Sequence, residues 1–260
     1  MIITSPSLAL DAVSKEYIGT RGRQVRALEN VSLAVPRGAF WSVVGPSGCG
    51  KSTFLRLAAG LEIPSAGNIL FEGQLIVGPS PERGMVFQNY AAFPWLSVRK
   101  NISFGLDKCG QLVDDAKVTD WLIRTGLQDF EHSYPKTLSG GMRQRLALAR
   151  TMIVAPRLLL LDEPLGALDP RTRERLQIFL QEVVAEAQCT TLLVTHDIRE
   201  AVLLSDRIIV MSPRPGRIVA SIECNLPKPR DRHLLVTESF AVIYERVEAM
   251  LAEDGTTADG

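Results

Sequence analysis

Gly45-Pro46-Ser47-Gly48-Cys49-Gly50-Lys51-Ser52-Thr53 is the stretch that decides the fold. A short apolar run, Phe40-Trp41-Ser42-Val43-Val44, precedes it, and the apolar-periodic Phe54-Leu55-Arg56-Leu57-Ala58-Ala59 follows. Strand, glycine-rich loop and helix thus stand in order, at the spacing G-x-x-x-x-G-K-S of a phosphate-binding P-loop. Glycines let the chain bend so that successive N–H groups face a polyphosphate. The first turn of the helix adds unpaired N–H groups and the positive end of its dipole. Lys51 can reach the β- and γ-phosphates as a point charge, and the Ser52 hydroxyl can ligate Mg²⁺. The pattern implies a nucleoside triphosphate.

Composition narrows the setting. The chain has 260 residues, with 29 basic and 29 acidic side chains and no net formal charge. Nucleic-acid binding driven by charge would want a basic stripe, so this balance argues against it. Four scattered cysteines (Cys49, Cys109, Cys189, Cys224) suggest neither a zinc site nor a disulfide framework, and point to a reducing compartment. The first residues lack the charged start and apolar core of a secretory signal, and no apolar run is long enough to span a bilayer. A membrane role is expected only through a partner.

Read outward from the loop, the chain alternates apolar and polar residues at Leu8–Tyr17 and Val25–Val35, the pattern of exposed-face strands. Short strands are expected at Asn68–Phe71 and Gly84–Phe87, the second leading to Gln88. Asp114–Thr125 reads as an amphipathic helix with Val118, Trp121, Leu122 and Thr125 on one face. The near-continuous apolar run Leu158-Leu159-Leu160-Leu161 suits a strand buried on both faces of a parallel sheet. It ends in Asp162-Glu163, at the carboxyl end where open α/β sheets hold their ligands. Thr190–Thr195 is a second such strand, followed by His196. Arg171–Glu186 and Ile198–Leu204 are expected helices, and Arg207–Met211 and Arg217–Ser221 strands. His233–Leu251 reads as a terminal amphipathic helix, and 253–260 as a polar, disordered tail. The expectation is one α/β domain over 1–252: a P-loop NTPase core with a RecA-like, mixed or parallel sheet. An N-terminal antiparallel β-subdomain and a helical subdomain at about 89–156 complete it.

Acids at a strand end, far downstream of a P-loop, suit metal-assisted phosphoryl transfer. Asp162 can hold Mg²⁺, and Glu163 can polarise the attacking water. Taken alone, Tyr17 reads as packing, Gln88 as a loop hydrogen-bonder, and His196 as structural. Ser139-Gly140-Gly141 alone reads as a helix N-cap, a geometry that also makes an anion site.

Order and spacing make these residues similar to the nucleotide-binding subunits of ATP-binding-cassette (ABC) transporters, over about Leu8 to Ser221. Leu138-Ser139-Gly140-Gly141 is the family's own signature. The resemblance implies that Tyr17 stacks on adenine, that Gly45, Pro46, Ser47, Gly48, Cys49, Gly50, Lys51, Ser52 and Thr53 form Walker A, and that Leu158–Asp162 is Walker B. It makes Gln88 the residue that reaches Mg²⁺ and the attacking water, Glu163 the catalytic base and His196 the switch histidine at the γ-phosphate. Gly166-Ala167-Leu168-Asp169 resembles the D-loop. Met142 stands where many members carry glutamine, and Gly166 where serine is commoner. Leu138, Ser139, Gly140, Gly141 and Met142 would serve ATP held by a second copy, so a homodimer is implied.

Phe93-Pro94-Trp95-Leu96 fits a surface that takes up a permease, or a local aromatic core. With Ser212-Pro213-Arg214-Pro215-Gly216-Arg217-Ile218 and Leu226–Arg232 it resembles the nitrate/sulfonate/taurine import group, which also handles bicarbonate. The implied protein is a bacterial importer's ATPase at the cytoplasmic face of the plasma membrane. Its partners would be two transmembrane permease subunits and an extracytoplasmic solute-binding protein, and its cofactors ATP and Mg²⁺. The alternative is a non-transport ABC ATPase with a regulatory or assembly role. The coiled coils of DNA-repair types have no room in the roughly 85 residues between Thr53 and Leu138.

Overall fold

A computed structural model of the chain describes residues 6–19, 22–88, 91–166 and 168–253. Its centre is a six-stranded sheet of order β10-β9-β3-β8-β7-β6. The strands are β3 (Phe40–Val44), β6 (Arg83–Val86), β7 (Leu158–Asp162), β8 (Thr190–Val194), β9 (Arg207–Met211) and β10 (Ile218–Glu223). All neighbours run parallel except β9 and β10. Every residue of β3, β7 and β8 is buried, which explains their unbroken apolar character.

Alternation along β7 sorts its side chains between two cores. Leu158 and Leu160 face a cluster with Trp41, Val43 and Phe54, and Leu159 and Leu161 face one with Leu146, Leu176 and Leu180. The first core lies under helix α1 (Lys51–Ala59) and a four-stranded antiparallel sheet of order β2-β1-β4-β5. That sheet comprises β1 (Leu8–Ile18), β2 (Gln24–Val35), β4 (Ala66–Phe71) and β5 (Gln74–Leu75).

Between β6 and β7 the chain is helical, with α2 (Val98–Lys108), α3 (Asp115–Arg124) and α4 (Gly140–Met152). The face expected for α3 is enclosed: Val118, Trp121, Leu122 and the capping Thr125 are all buried. Asn89 and Tyr90, at the start of the expected helical block, lie outside the described residues. After β7 come α5 (Pro170–Ala187), α6 (Ile198–Leu204) and α7 (Glu238–Glu253), with α7 packed on α6 and β9.

One expected helix is shorter and broken. Residues 232–236 form a 3₁₀ turn, and Thr237 is extended. The Thr237 hydroxyl donates to Leu234 O at 2.7 Å and accepts from Phe240 N at 3.3 Å, so the cap starts α7 only at Glu238. Glu253, assigned to the tail by its polarity, is the last residue of α7; 254–260 lie outside the described residues.

Candidate nucleotide site

Parallel pairing lines up the carboxyl ends of β3, β6, β7 and β8 on one edge of the central sheet. There β3 passes into the P-loop, and Gly50, in the left-handed region at φ 109°, leads into α1. Phe54 N donates to Gly50 O at 2.8 Å, closing the first helical turn. Lys51 is buried, and its ammonium donates to the carbonyls of Gly45 (2.7 Å) and Pro46 (2.9 Å). The charge that the sequence assigned to phosphates is thus held by the loop's own carbonyls.

Ser52 Oγ donates to Asp162 Oδ1 at 3.1 Å, across 110 residues of sequence. Burial pushes the Asp162 carboxyl above its usual range, and the Ser52 hydrogen bond opposes this. A hydroxyl and a carboxylate are hard oxygen donors, which fit Mg²⁺. Among the described residues no group of three or more His, Cys, Asp or Glu is placed to hold a metal.

Glu163 follows β7 with φ 45°, unusual for a residue with a side chain, and its N–H donates to Val194 O at 2.9 Å. Its carboxylate is where three strand ends meet. Gln88 Nε2 donates to Glu163 Oε2 at 3.2 Å, and His196 Nδ1 lies 3.2 Å from the same oxygen. Glu163 is 22% exposed and His196 62%, so the cluster faces solvent on one side.

Tyr17 comes from the antiparallel sheet. Its hydroxyl pairs with Glu62 and lies 3.2 Å from Thr53 Oγ1, while the Lys15 ammonium sits 5.2 Å from its ring. Burial and the Glu62 contact raise the phenol's pKa.

Residues 138–142 belong to a different place. Leu138 is buried, and Ser139 caps α4, accepting from Met142 N at 3.3 Å. A Cβ on Gly141 would stand 2.4 Å from Thr172 Cγ2, so only glycine lets the first turns of α4 and α5 approach this closely. Asp169 caps α5 by accepting from Thr172 N at 3.1 Å, and its hydrogen bonds to the Thr172 side chain and backbone lower its carboxyl pKa. Among the described residues no hydrogen bond joins 138–142 to the P-loop. A Cβ at Gly166 would meet the His196 ring at 3.7 Å, an ordinary contact, so the commoner serine would fit. Ala167 lies outside the described residues.

Three structural partners of the site escaped the sequence reading. Thr195 donates to Glu200 Oε2 at 2.6 Å and accepts from Asp197 N at 3.1 Å, bracketing His196. Asp197-x-x-Glu200 has the spacing of a capping box, the signal by which Glu200 was findable. Asn101, fully buried on α2, donates to the carbonyls of Phe93 (3.1 Å), Leu96 (2.9 Å) and Ser97 (3.1 Å) and accepts from Phe93 N at 2.8 Å. It fastens the loop carrying Trp95. Phe93 packs on Phe104 at 4.4 Å between ring centroids, whereas Trp95 is 69% exposed. The aromatic stretch therefore splits into a packed half and an open half.

Fold and site together define a P-loop nucleotide hydrolase with acids at the adjoining strand ends. The sequence matches the ABC transporter family over residues 28–166, and relatives agree along most of the chain. An aliphatic sulfonates import ATP-binding protein of Bacillus cereus is 45% identical, covering 93% of this chain and 94% of its own length. A nitrate import ATP-binding protein of Synechocystis is also 45% identical, covering 85% and 83%. Among solved structures, a dimeric ATP-binding cassette in a post-hydrolysis state with ADP and Pi superposes with a TM-score of 0.76 at 28% identity. That match covers 85% of this chain and all of the other. The chain belongs to the ABC transporter family, as an ATP-binding, ATP-hydrolysing subunit.

Proposed function

We propose that this chain energises import of a small solute of the nitrate, sulfonate, taurine or bicarbonate kind, through two permease subunits fed by an external solute-binding protein. It would sit peripherally at the cytoplasmic face of the membrane; among the described residues no helix is long and apolar enough to cross one. The convergence of Gln88 and His196 on one oxygen of Glu163, beside the P-loop, carries the catalytic part of this reading. The printed names of the relatives support the solute class.

In this reading Tyr17 stacks on adenine, and Lys51 leaves the carbonyls of Gly45 and Pro46 for the phosphates. N–H groups of residues 48–53 cradle the same phosphates. Ser52, Asp162 and Gln88 would hold Mg²⁺, which would supply neutralisation of the phosphate charge. Glu163 takes a proton from the attacking water, Gln88 aligns that water, and His196 holds Glu163 and the γ-phosphate in register. Ser139–Met142 make no hydrogen bond to their own chain's P-loop among the described residues, and they would complete the site of a second copy, with Asp169 at the contact. ATP then joins two copies, and hydrolysis releases them.

Replacing Glu163 by glutamine keeps shape and removes the base. Glu163→Gln is expected to bind ATP normally, lose turnover by roughly a hundredfold or more, and elute as an ATP-dependent dimer. Near-normal turnover in that variant would overturn Glu163 as base.

A further inference from the structure

A second segment is built against the back of the P-loop. Between β9 and β10 the chain turns through Ser212-Pro213-Arg214-Pro215-Gly216-Arg217. Ser212 N donates to Arg217 O at 3.0 Å, and Arg217 N donates to Ser212 Oγ at 3.0 Å, closing the turn on itself. Strand β2 anchors it from the other side. Gly216 N donates to Ala27 O at 2.9 Å, Glu29 N donates to Gly216 O at 3.0 Å, and Arg217 Nε donates to Glu29 Oε2 at 2.8 Å.

The anchored turn meets two successive P-loop carbonyls. Arg214 Nε donates to Gly48 O at 3.3 Å. A Cβ on Gly216 would lie 2.1 Å from Cys49 O, so backbone approaches backbone where no side chain fits. A loop that aims N–H groups at an anion must aim carbonyls outward, and those carbonyls need partners of their own. The Arg214 guanidinium supplies one as a charge-assisted donor to Gly48 O, and the N–H of the same Gly48–Cys49 peptide donates to Pro46 O at 3.3 Å, so both ends of this loop peptide are held.

We infer that the 212–217 turn is a brace for the phosphate loop, with Arg214 a positioning residue that favours nucleotide binding through the Gly48 carbonyl. This rests on reading 45–53 as the nucleotide site. The brace acts on the shape of the loop and not on the reacting atoms, so its loss weakens binding more than it slows chemistry at saturation.

The test is ATP affinity of the full chain, by calorimetry, for Arg214→Ala, Gly216→Ala and Lys51→Ala. Arg214→Ala is expected to raise Kd and KM for ATP about tenfold, with kcat at saturating ATP within twofold and the nucleotide-free melting temperature unchanged. Gly216→Ala is expected to weaken binding further; if that variant does not fold, Arg214→Ala alone decides. An unchanged Kd for Arg214→Ala overturns the brace, whether accompanied by a lower melting temperature (a merely structural arginine) or by lost ATP-dependent dimerisation (a contact to the second copy). If Lys51→Ala also binds ATP normally, the nucleotide-site reading fails instead.

Discussion

Glu200, 2% exposed, keeps one carboxylate oxygen on the Thr195 hydroxyl, while Oε1 has no hydrogen-bond partner among the described residues. Burial, aided by Asp197, pushes this carboxyl from an ordinary 4.5 up to about 7. The sign follows from linkage. Between those two values the folded chain holds a proton that the unfolded chain has released, so stability is lost as pH rises through that window. The loss is about 3 kcal/mol across it. Urea unfolding at pH 5 and pH 8 is expected to show that fall in the wild type and a flatter response in Glu200→Gln. Equal pH dependence in both would remove Glu200 as its source. Lys51 gives the second residue-scale prediction. Its ammonium donates to two loop carbonyls, so Lys51→Ala loses these partners as well as the phosphate contact proposed for it. Its ATP Kd is expected to rise by roughly tenfold or more, read by calorimetry.

Among the elements, α2 does more than pad the helical block. Asn101 spends its whole amide on the 93–97 loop, and Ser97 caps the same helix by accepting from Lys100 N at 3.3 Å. Asn101→Ala strands several part-buried backbone groups, at a cost of about 2–4 kcal/mol. Thermal denaturation is expected to show the loss, and proteolysis to strike first near Trp95. A melting temperature within a degree of wild type would contradict the clasp. The amphipathic period running back to His233 was legible, but the break at Thr237 was not. A threonine inside an apolar period reads as helix until its hydroxyl is seen to serve as the cap.

For the whole molecule, the exposure of Trp95 carries the consequence. An indole 69% exposed, on a loop clamped by Asn101 and by Arg150 donating to Ala91 O at 2.6 Å, is a rigid apolar feature suited to a partner surface. Trp95→Ala is expected to leave ATPase activity of the isolated subunit within twofold and to lower solute-stimulated ATPase of the reconstituted transporter by about tenfold or more. Equal loss in both assays would make Trp95 part of the local packing.

The sequence alone determined whatever is written in contiguous residues. The loop 45–53 announces its anion chemistry through spacing, Leu158–Asp162 its burial through an unbroken apolar run, and Leu138–Gly141 the family. The fold class was therefore readable in the sequence, and so were the candidates Gln88, Glu163 and His196 that the structure brings together. Tertiary structure decided what depends on residues far apart in the chain. Parallel register set Gln88, Glu163 and His196 side by side, because β6, β7 and β8 end on one edge. Packing of α4 on α5 set Gly141 against Thr172, with no hydrogen bond from 138–142 to the P-loop among the described residues. The approach of Arg214 to Gly48, 166 residues earlier, was invisible to any local pattern, because a carbonyl's need for a partner appears only once the loop is bent.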